Sequence, residues 1–353
     1  MRDPNVPIPA GYPASYAETV IAAQEEGSVT IWSATDRQKM DELLTDFHRL
    51  YPRIAVNYGE LPATQMHNRF IAEAKRGAPT ADILWTSAMD LQIKLVNDGY
   101  AQSYASPEKG ALPSWANWKN QAWGITAEPI VMVYNSRLIP AAKVPAGHLD
   151  FVRLLESRDP ALSGRIATYD PAASAVGYLC LSQDGDASRD IWRTVRGLAD
   201  NQVRLFSTSN EIIADVSSGK SALGYNVVGS YALDETRRNR EFKVVIPRDY
   251  TLVMSRIALI PKHARHPNAA KLLLDFLLSK RGQAHLVAHS MPSVRSDVAV
   301  PAMLRGRGAP LRAIRVGPAL LVLQDQLTRR RFLRRWHRIV SPVPSVDPDQ
   351  FGT

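Results

Sequence analysis

The sequence predicts an α/β protein of two lobes joined by a two-strand hinge. Strands alternate with helices at close spacing through residues 28–98 and again through 149–226, the pattern of parallel sheets with covered faces. Two long apolar extended runs, 123–135 (WGITAEPIVMVYN) and 251–260 (TLVMSRIALI), bracket the middle third and read as one outward and one returning crossing. At 353 residues, 45% hydrophobic and 22% charged, the chain suffices for two ordinary domains. The expected boundaries are an N-terminal helical extension at 1–26, a discontinuous first lobe at 27–127 and 258–303, a second lobe at 128–257, and an arginine-rich helix and tail at 304–353.

The elements follow in order. After a short amphipathic helix near Tyr16–Glu25, SVTIW (28–32) reads as a buried strand, and Ser33–Asp36 cap a helix to about Leu50. RIAVNY (53–58) is a second strand, 64–76 a helix, and DILW (82–85) a third strand leading through Thr86 and Ser87 into a helix at 89–98. Pro140 and Pro145 signal turns. The second alternation has a helix at 149–157, a strand at 165–169 and a loop at 170–173. Helices at 174–181 and 186–200, a strand at 203–206, a helix at 209–218 and a strand at 221–226 complete it.

Residues 265–297 hold the best-marked helix. Pro267 fits a first turn, Ala269, Ala270, Leu272, Leu273, Phe276, Leu277 and Leu278 repeat at helical spacing, and Lys280 and Arg281 suit the last turn, with Gly282 placed to close it. The form H-P-x-A-A-x-x-x-x-D-F-L-L-S-x-x-G-Q, followed by P-x-x-R-S-D, resembles the late helix of solute-binding proteins of ABC importers. VTIWSATDRQKMDELLTDFHRLYPRIAVNY and TADILWTSAMDLQIKLVNDGYAQ resemble the opening elements of type II periplasmic binding proteins, nearest to the ferric-ion, phosphonate and phosphoglycerate-type branch. The resemblance covers roughly residues 27–300. It implies a type II clamshell without catalysis, located in the periplasm and delivering a solute to a membrane permease. In ferric-binding members an adjacent Tyr-Tyr pair holds the metal. Here the segment is GYNVVGSYALDE, with five residues between Tyr225 and Tyr231 and with Gly229 and Ser230 at the aligned positions, so iron becomes the alternative.

The candidate ligand residues lie where strands end. Ser33 and Thr35, and again Thr86 and Ser87, combine hydroxyls with the open N–H groups of a first helical turn, which bind anions; plain N-capping is the alternative. In the second lobe Ala173 and Ser174 start a helix, and Tyr225 and Asn226 end a strand, with a turn and core packing as the alternative. Arg256 stands inside VMSRIALI, where an unpaired charge is costly, so it needs a protein carboxylate or a ligand anion. Glu128, in TAEPIVMVY, could pair with Arg256, contact a ligand amine, or be solvated.

Composition excludes several classes. Cys180 is the only cysteine, no Cys/His spacing suits zinc, and no nucleophile elbow, P-loop, H-E-x-x-H or dinucleotide fingerprint appears, so the reading is a non-enzyme without cofactor or metal site. His285 and His289 share a helix face but lack accompanying ligands in the sequence. No apolar run of eighteen residues occurs. The N-terminus lacks the features of a secretion signal, so the expectation is that the signal lies upstream of Met1 or that the protein stays inside. Ten Arg and one Asp fall between Arg305 and Arg338, matching the whole-chain net charge of +9, so the basicity is one local segment. Leu320, Leu323, Leu327, Trp336 and Val340 give that segment a broken apolar stripe, read as a docked helix with a solvated basic face rather than a nucleic-acid contact; attachment to a membrane surface is a further alternative. Capture of a small anionic solute, phosphorylated or phosphonate-like, by a monomer serving an ABC permease is the expected function. Ferric-ion binding, or sensing coupled to a histidine kinase, are the alternatives.

Overall fold

The computed structural model describes residues 8–299 and 310–340. They fall into two compact units, one formed by residues 8–129, 253–299 and 313–322, the other by residues 130–252, 310–312 and 323–340. Arg305, Arg307 and the tail after residue 340 lie outside the described residues.

The chain opens with α1 (Tyr16–Glu26), whose buried Tyr16, Val20 and Ala23 repeat at i, i+4, i+7 and whose end turns at Gly27 with φ +71°. There follow β1 (Ser28–Ser33), α2 (Arg37–Leu50), β2 (Ala55–Glu60), α3 (Ala63–Lys75), β3 (Ile83–Thr86) and α4 (Met89–Asn97). The short β4 (Asn117–Trp118) and β5 (Ala122–Gly124) lead to β6 (Glu128–Asn135), within which the chain passes into the second unit. That unit holds α5 (His148–Glu156), β7 (Ile166–Tyr169), α6 (Ala175–Ala187), α7 (Ile191–Asp200), β8 (Arg204–Phe206), α8 (Ser209–Ser217), β9 (Leu223–Val228), α9 (Gly229–Arg238) and β10 (Phe242–Val245). The chain returns within β11 (Thr251–Met254), continues through β12 (Ile257–Leu259), α10 (Pro267–Leu278) and α11 (Lys280–Ala288), and ends with β13 (Leu311–Ala313) and α12 (Gln326–Val340).

The first sheet runs β2-β1-β3-β12-β5-β4, with β1 parallel to β2 and β3 and β12 antiparallel to β3 and β5. Its core joins Val29 and Ile31 of β1 to Phe47 of α2 and to Leu273 and Leu277 of α10. The second sheet runs β13-β11-β6-β9-β7-β8, with β10 also paired to β6. Phe151, Val195, Leu198 and Leu223 anchor one of its faces, and Val133, Ala167, Ile212 and Val227 the other.

Several sequence expectations change, each for a local reason. The helix expected to run from Pro267 to a stop at Gly282 is two helices. Ser279 sits at ψ 157°, donates its hydroxyl to the Phe276 carbonyl at 2.7 Å and accepts the Gly282 N–H at 3.1 Å, so it ends α10 and caps α11 together. Gly282 is there for space: a Cβ would stand 2.0 Å from the Phe276 carbonyl oxygen. The extended runs 123–135 and 251–260 are each interrupted, at 125–127 and at 255–256, where the two breaks bond to each other: the Ile125 N–H donates to the Arg256 carbonyl at 2.8 Å. The helix at 174–181 runs on to Ala187, and the next starts at Ile191 rather than 186. Leu327, expected in the apolar stripe, is 53% exposed; α12 is anchored instead by Trp336, which is fully buried beside half-buried Phe332 and Ile339.

Two polar residues of the motif at 265–297 hold the first unit together. The Gln283 amide donates to the carbonyls of Ile125 (2.9 Å) and Leu277 (2.8 Å) and accepts from the Ser293 hydroxyl and the Val294 N–H. Every bond that amide can make is used. Arg295 forms a two-pronged pair with Asp297, 2.8 Å on each side, and also reaches Glu108 and the Leu278 carbonyl at the end of α10.

Candidate functional site

In the first unit four chain segments meet at one edge of the sheet: the ends of β1 and β3, the break before β6 and the break before β12. The Ala34 N–H donates to the Trp85 carbonyl at 3.2 Å, which joins the first two, and Ile257 pairs with both Thr86 and Gly124, which joins the rest. Arg256 stands where they meet, 1% exposed. Its Nε lies 2.8 Å from Glu128 Oε1 and its Nη2 3.3 Å from Oε2, while Nη1 donates to the Thr35 hydroxyl at 2.9 Å. Thr126 closes the ring, donating its hydroxyl to Glu128 at 2.8 Å and accepting the Arg256 N–H at 2.9 Å. Of the partners the sequence left open for Arg256 and Glu128, the structure supplies each with the other. The guanidinium is neutralised within the chain and holds Thr35 at the mouth of α2.

The hydroxyls at the other strand ends bend the chain rather than cap helices. Ser33, fully buried, accepts the Thr35 N–H at 3.1 Å, and Thr86, 1% exposed, accepts the Ala88 N–H at 3.2 Å. Neither α2 nor α4 has a side-chain cap, so the plain N-capping role does not describe these residues. Ser87 is half-buried, and its hydroxyl makes no hydrogen bond among the described residues. The first N–H of α2, that of Arg37, reaches Glu60 at 3.0 Å.

In the second unit Ser174 does cap a helix, accepting the Gly177 N–H of α6 at 3.2 Å, and Ala173 is exposed in the preceding turn. Tyr225 and Asn226, expected at the end of their strand, lie inside it, because β9 runs on to Val228. The residues that open the next helix are Gly229 and fully buried Ser230, and α9 too has no side-chain cap.

Tyr225 and Asn226 belong to a different centre, which the sequence reading missed. Asp184, 1% exposed, accepts from the Tyr225 hydroxyl (2.9 Å), the Asn226 amide (2.7 Å) and the Tyr250 hydroxyl (2.9 Å). His148 stacks on Tyr250 at 3.8 Å with its Nε2 3.7 Å from Asp184, and its Nδ1 is 2.9 Å from Asp249. Burial raises the Asp184 pKa, opposed by His148 and the three donors. Burial and the Asp184 charge together push the Tyr225 hydroxyl well up, so it stays protonated. A cavity of about 40 Å³, room for a water, lies among His148, Asp184, Tyr225 and Tyr250. The signal available in sequence was periodic: Asp184 continues the buried stripe Gly177, Cys180, Leu181 of α6.

Among the described residues no group of three or more His, Cys, Asp or Glu is placed to hold a metal ion. His285 instead lies 2.9 Å from Asp46, and His289 3.3 Å from Glu42.

Comparison with known proteins accounts for this architecture. Residues 42–303 match the bacterial extracellular solute-binding proteins. The chain belongs to that family. Its structure superposes with a TM-score of 0.82, at 38% identity over 89% of this chain and 94% of the other, on the substrate binding protein of an ABC transporter from Agrobacterium tumefaciens. Two more distant structures share the fold: iron-bound HitA from Pseudomonas aeruginosa (18% identity, TM-score 0.71, 87% of this chain and 99% of that one) and AfuA from Actinobacillus pleuropneumoniae with fructose-6-phosphate bound (18%, 0.72, 90% and 99%). An uncharacterized Haemophilus influenzae protein is 24% identical over 60% of this chain, a match that spans 62% of that protein's length. The fold is thus the type II periplasmic-binding fold, and the family is one of binding proteins that work outside the cytoplasm, not of enzymes. No helix among the described residues is long and apolar enough to cross a membrane. In this chain the H-P-x-A-A…G-Q and P-x-x-R-S-D segments act as scaffold, through Gln283 and Arg295.

Proposed function

We propose that this solute-binding protein captures a small anionic solute, phosphorylated or phosphonate-like, in the periplasm and delivers it as a monomer to the permease of an ABC importer. The observation that carries the reading is the state of the helix starts at the strand ends: α4 and α9 open without side-chain caps, directly after Thr86–Ser87 and at Gly229–Ser230. Uncapped first-turn N–H groups beside small hydroxyl residues are donors suited to phosphate or phosphonate oxygens. The donors assigned to the solute are Thr35 and Ser87 with the first-turn N–H groups of α4. Ser33, Thr86, Glu128 and Arg256 position the first-unit donors, and Ala173 and Ser174 set the start of α6. The Agrobacterium relative, a substrate binding protein of an ABC transporter, and AfuA with its sugar phosphate support the class.

Ferric ion is the second reading, favoured by the shared fold of iron-bound HitA. Against it stands the chemistry of the tyrosines. Iron needs phenolates, whereas Tyr225 and Tyr250 both donate to Asp184, which favours their protonated forms.

The test is thermal denaturation of the purified protein with phosphate, phosphonates, sugar phosphates, dicarboxylates and ferric citrate, because a solute that binds only the folded chain stabilises it by about 2.7 kcal/mol at a hundredfold excess over Kd. A phosphorylated or phosphonate compound is expected to raise the melting temperature by several degrees, and Ser87→Ala to shrink that rise. A rise with ferric citrate alone replaces the anion reading with iron.

A further inference from the structure

The whole positive surplus of the chain lies in a segment that the solute-binding reading does not use. In the second unit α12 is fixed by one face: Trp336 is fully buried, Arg329 lies over the Tyr178 ring at 5.1 Å and Arg335 over Trp192 at 3.9 Å. The opposite side carries Arg330, Arg331, Arg334 and Arg338, all exposed, and none forms an ion pair among the described residues. Asp325, the one acid between Arg305 and Arg338, accepts the Thr328 N–H at 2.7 Å at the start of the helix. Leu327, 53% exposed, adds an apolar side chain at that same end.

We infer that this face of α12 docks on an anionic lipid surface. The charge is supplied wholly by arginine, whose planar fork binds phosphate groups in two-pronged fashion, and like charges four residues apart on an exposed helix repel unless a partner of opposite sign is present. A rigidly docked basic helix with an exposed leucine fits the boundary of head groups and acyl chains. Nucleic acid is the poorer partner. The aromatic rings of this region are turned inward or covered by arginine, leaving no platform for base stacking, and the family works outside the cytoplasm.

The experiment is co-sedimentation of the whole chain with phosphatidylglycerol-containing vesicles and with pure phosphatidylcholine vesicles, at low and high salt. Binding is expected to the first only, and to weaken as salt screens it. Each arginine near the surface contributes about fivefold to partitioning, so replacing Arg330, Arg331, Arg334 and Arg338 with Gln lowers it on the order of several hundredfold, with the melting temperature unchanged. Should that variant fold poorly, Arg334→Gln alone serves, with a loss of about fivefold. Equal sedimentation with both vesicle types, undiminished binding by the variant, or binding of duplex DNA without binding of vesicles overturns the inference.

Discussion

Each unit buries an acidic centre, and the two are satisfied by different chemistry. Glu128 in the first unit faces Arg256 at 2.8 Å inside a ring completed by Thr35 and Thr126. Asp184 in the second accepts from two tyrosines and an asparagine, with His148 the nearest group able to carry positive charge, at 3.7 Å. A full ion pair in a dry site depends on both partners, since either one left alone is a buried unpaired charge. A carboxylate held by neutral donors with a raised pKa can instead take up a proton and lose little. The first centre should therefore be stiff to mutation, and the second tolerant.

The largest effect expected from this contrast is at the pair. Glu128→Ala removes the carboxylate that faces the buried guanidinium, and should cost about 3–5 kcal/mol in urea denaturation; Arg256→Ala should cost as much by removing the cation that faces Glu128. The combined Glu128→Leu, Arg256→Met variant removes both charges and should recover most of that loss. If the double variant is no more stable than either single one, the ring stabilises through its hydrogen bonds rather than its charge balance. Asp184→Asn should cost less, about 1–3 kcal/mol, because the amide oxygen still accepts while its NH₂ faces donors. A loss equal to that of Glu128→Ala would erase the distinction between the centres.

A third buried carboxylate sharpens the comparison through pH. Asp275 of α10, 1% exposed, accepts from the Tyr16 hydroxyl at 2.6 Å and from Tyr104, and burial pushes its pKa up to about 6. A folded-state pKa above the unfolded value means that the folded chain binds the extra proton. The stability from this group is complete below about pH 4 and is lost as pH rises through about 6, at most about 3 kcal/mol. Asp275→Asn removes that dependence. Its cost, measured by urea denaturation, should shrink between pH 4 and pH 7, and a constant cost would show that Asp275 titrates normally.

The sequence told more about repeats than about meetings. The alternation of strands and helices, the strand-end hydroxyls and the need of Arg256 for a partner could all be read from neighbouring residues. The identity of that partner could only be narrowed, because Glu128 is 128 positions away and three chemistries were open to it. The Asp184 centre was not legible, since its acceptor comes from α6 and its donors from β9 and the segment before β11, and Tyr225 and Asn226 carry the same signature whether they end a strand or lie inside it. Apolar periodicity also hid the break at Ser279. The stripe reads on through it, and only the side-chain bonds of one serine end the first helix and begin the second.

The smallest effect separates stability from binding at the strand ends. Ser174 caps α6 through the Gly177 N–H, so Ser174→Ala should cost about 1 kcal/mol and leave solute affinity unchanged, since the bond it loses is internal to the helix start. Ser87 precedes α4, which has no cap, and its hydroxyl is assigned to the solute. Ser87→Ala should therefore lower affinity several-fold, about 1 kcal/mol, with the melting temperature of the free protein moved less than by Ser174→Ala. Calorimetric titration with the solute found in the thermal screen, run on both variants, decides the matter. If Ser174→Ala weakens binding and Ser87→Ala does not, the solute sits at α6 and the donors of the first unit must be reassigned.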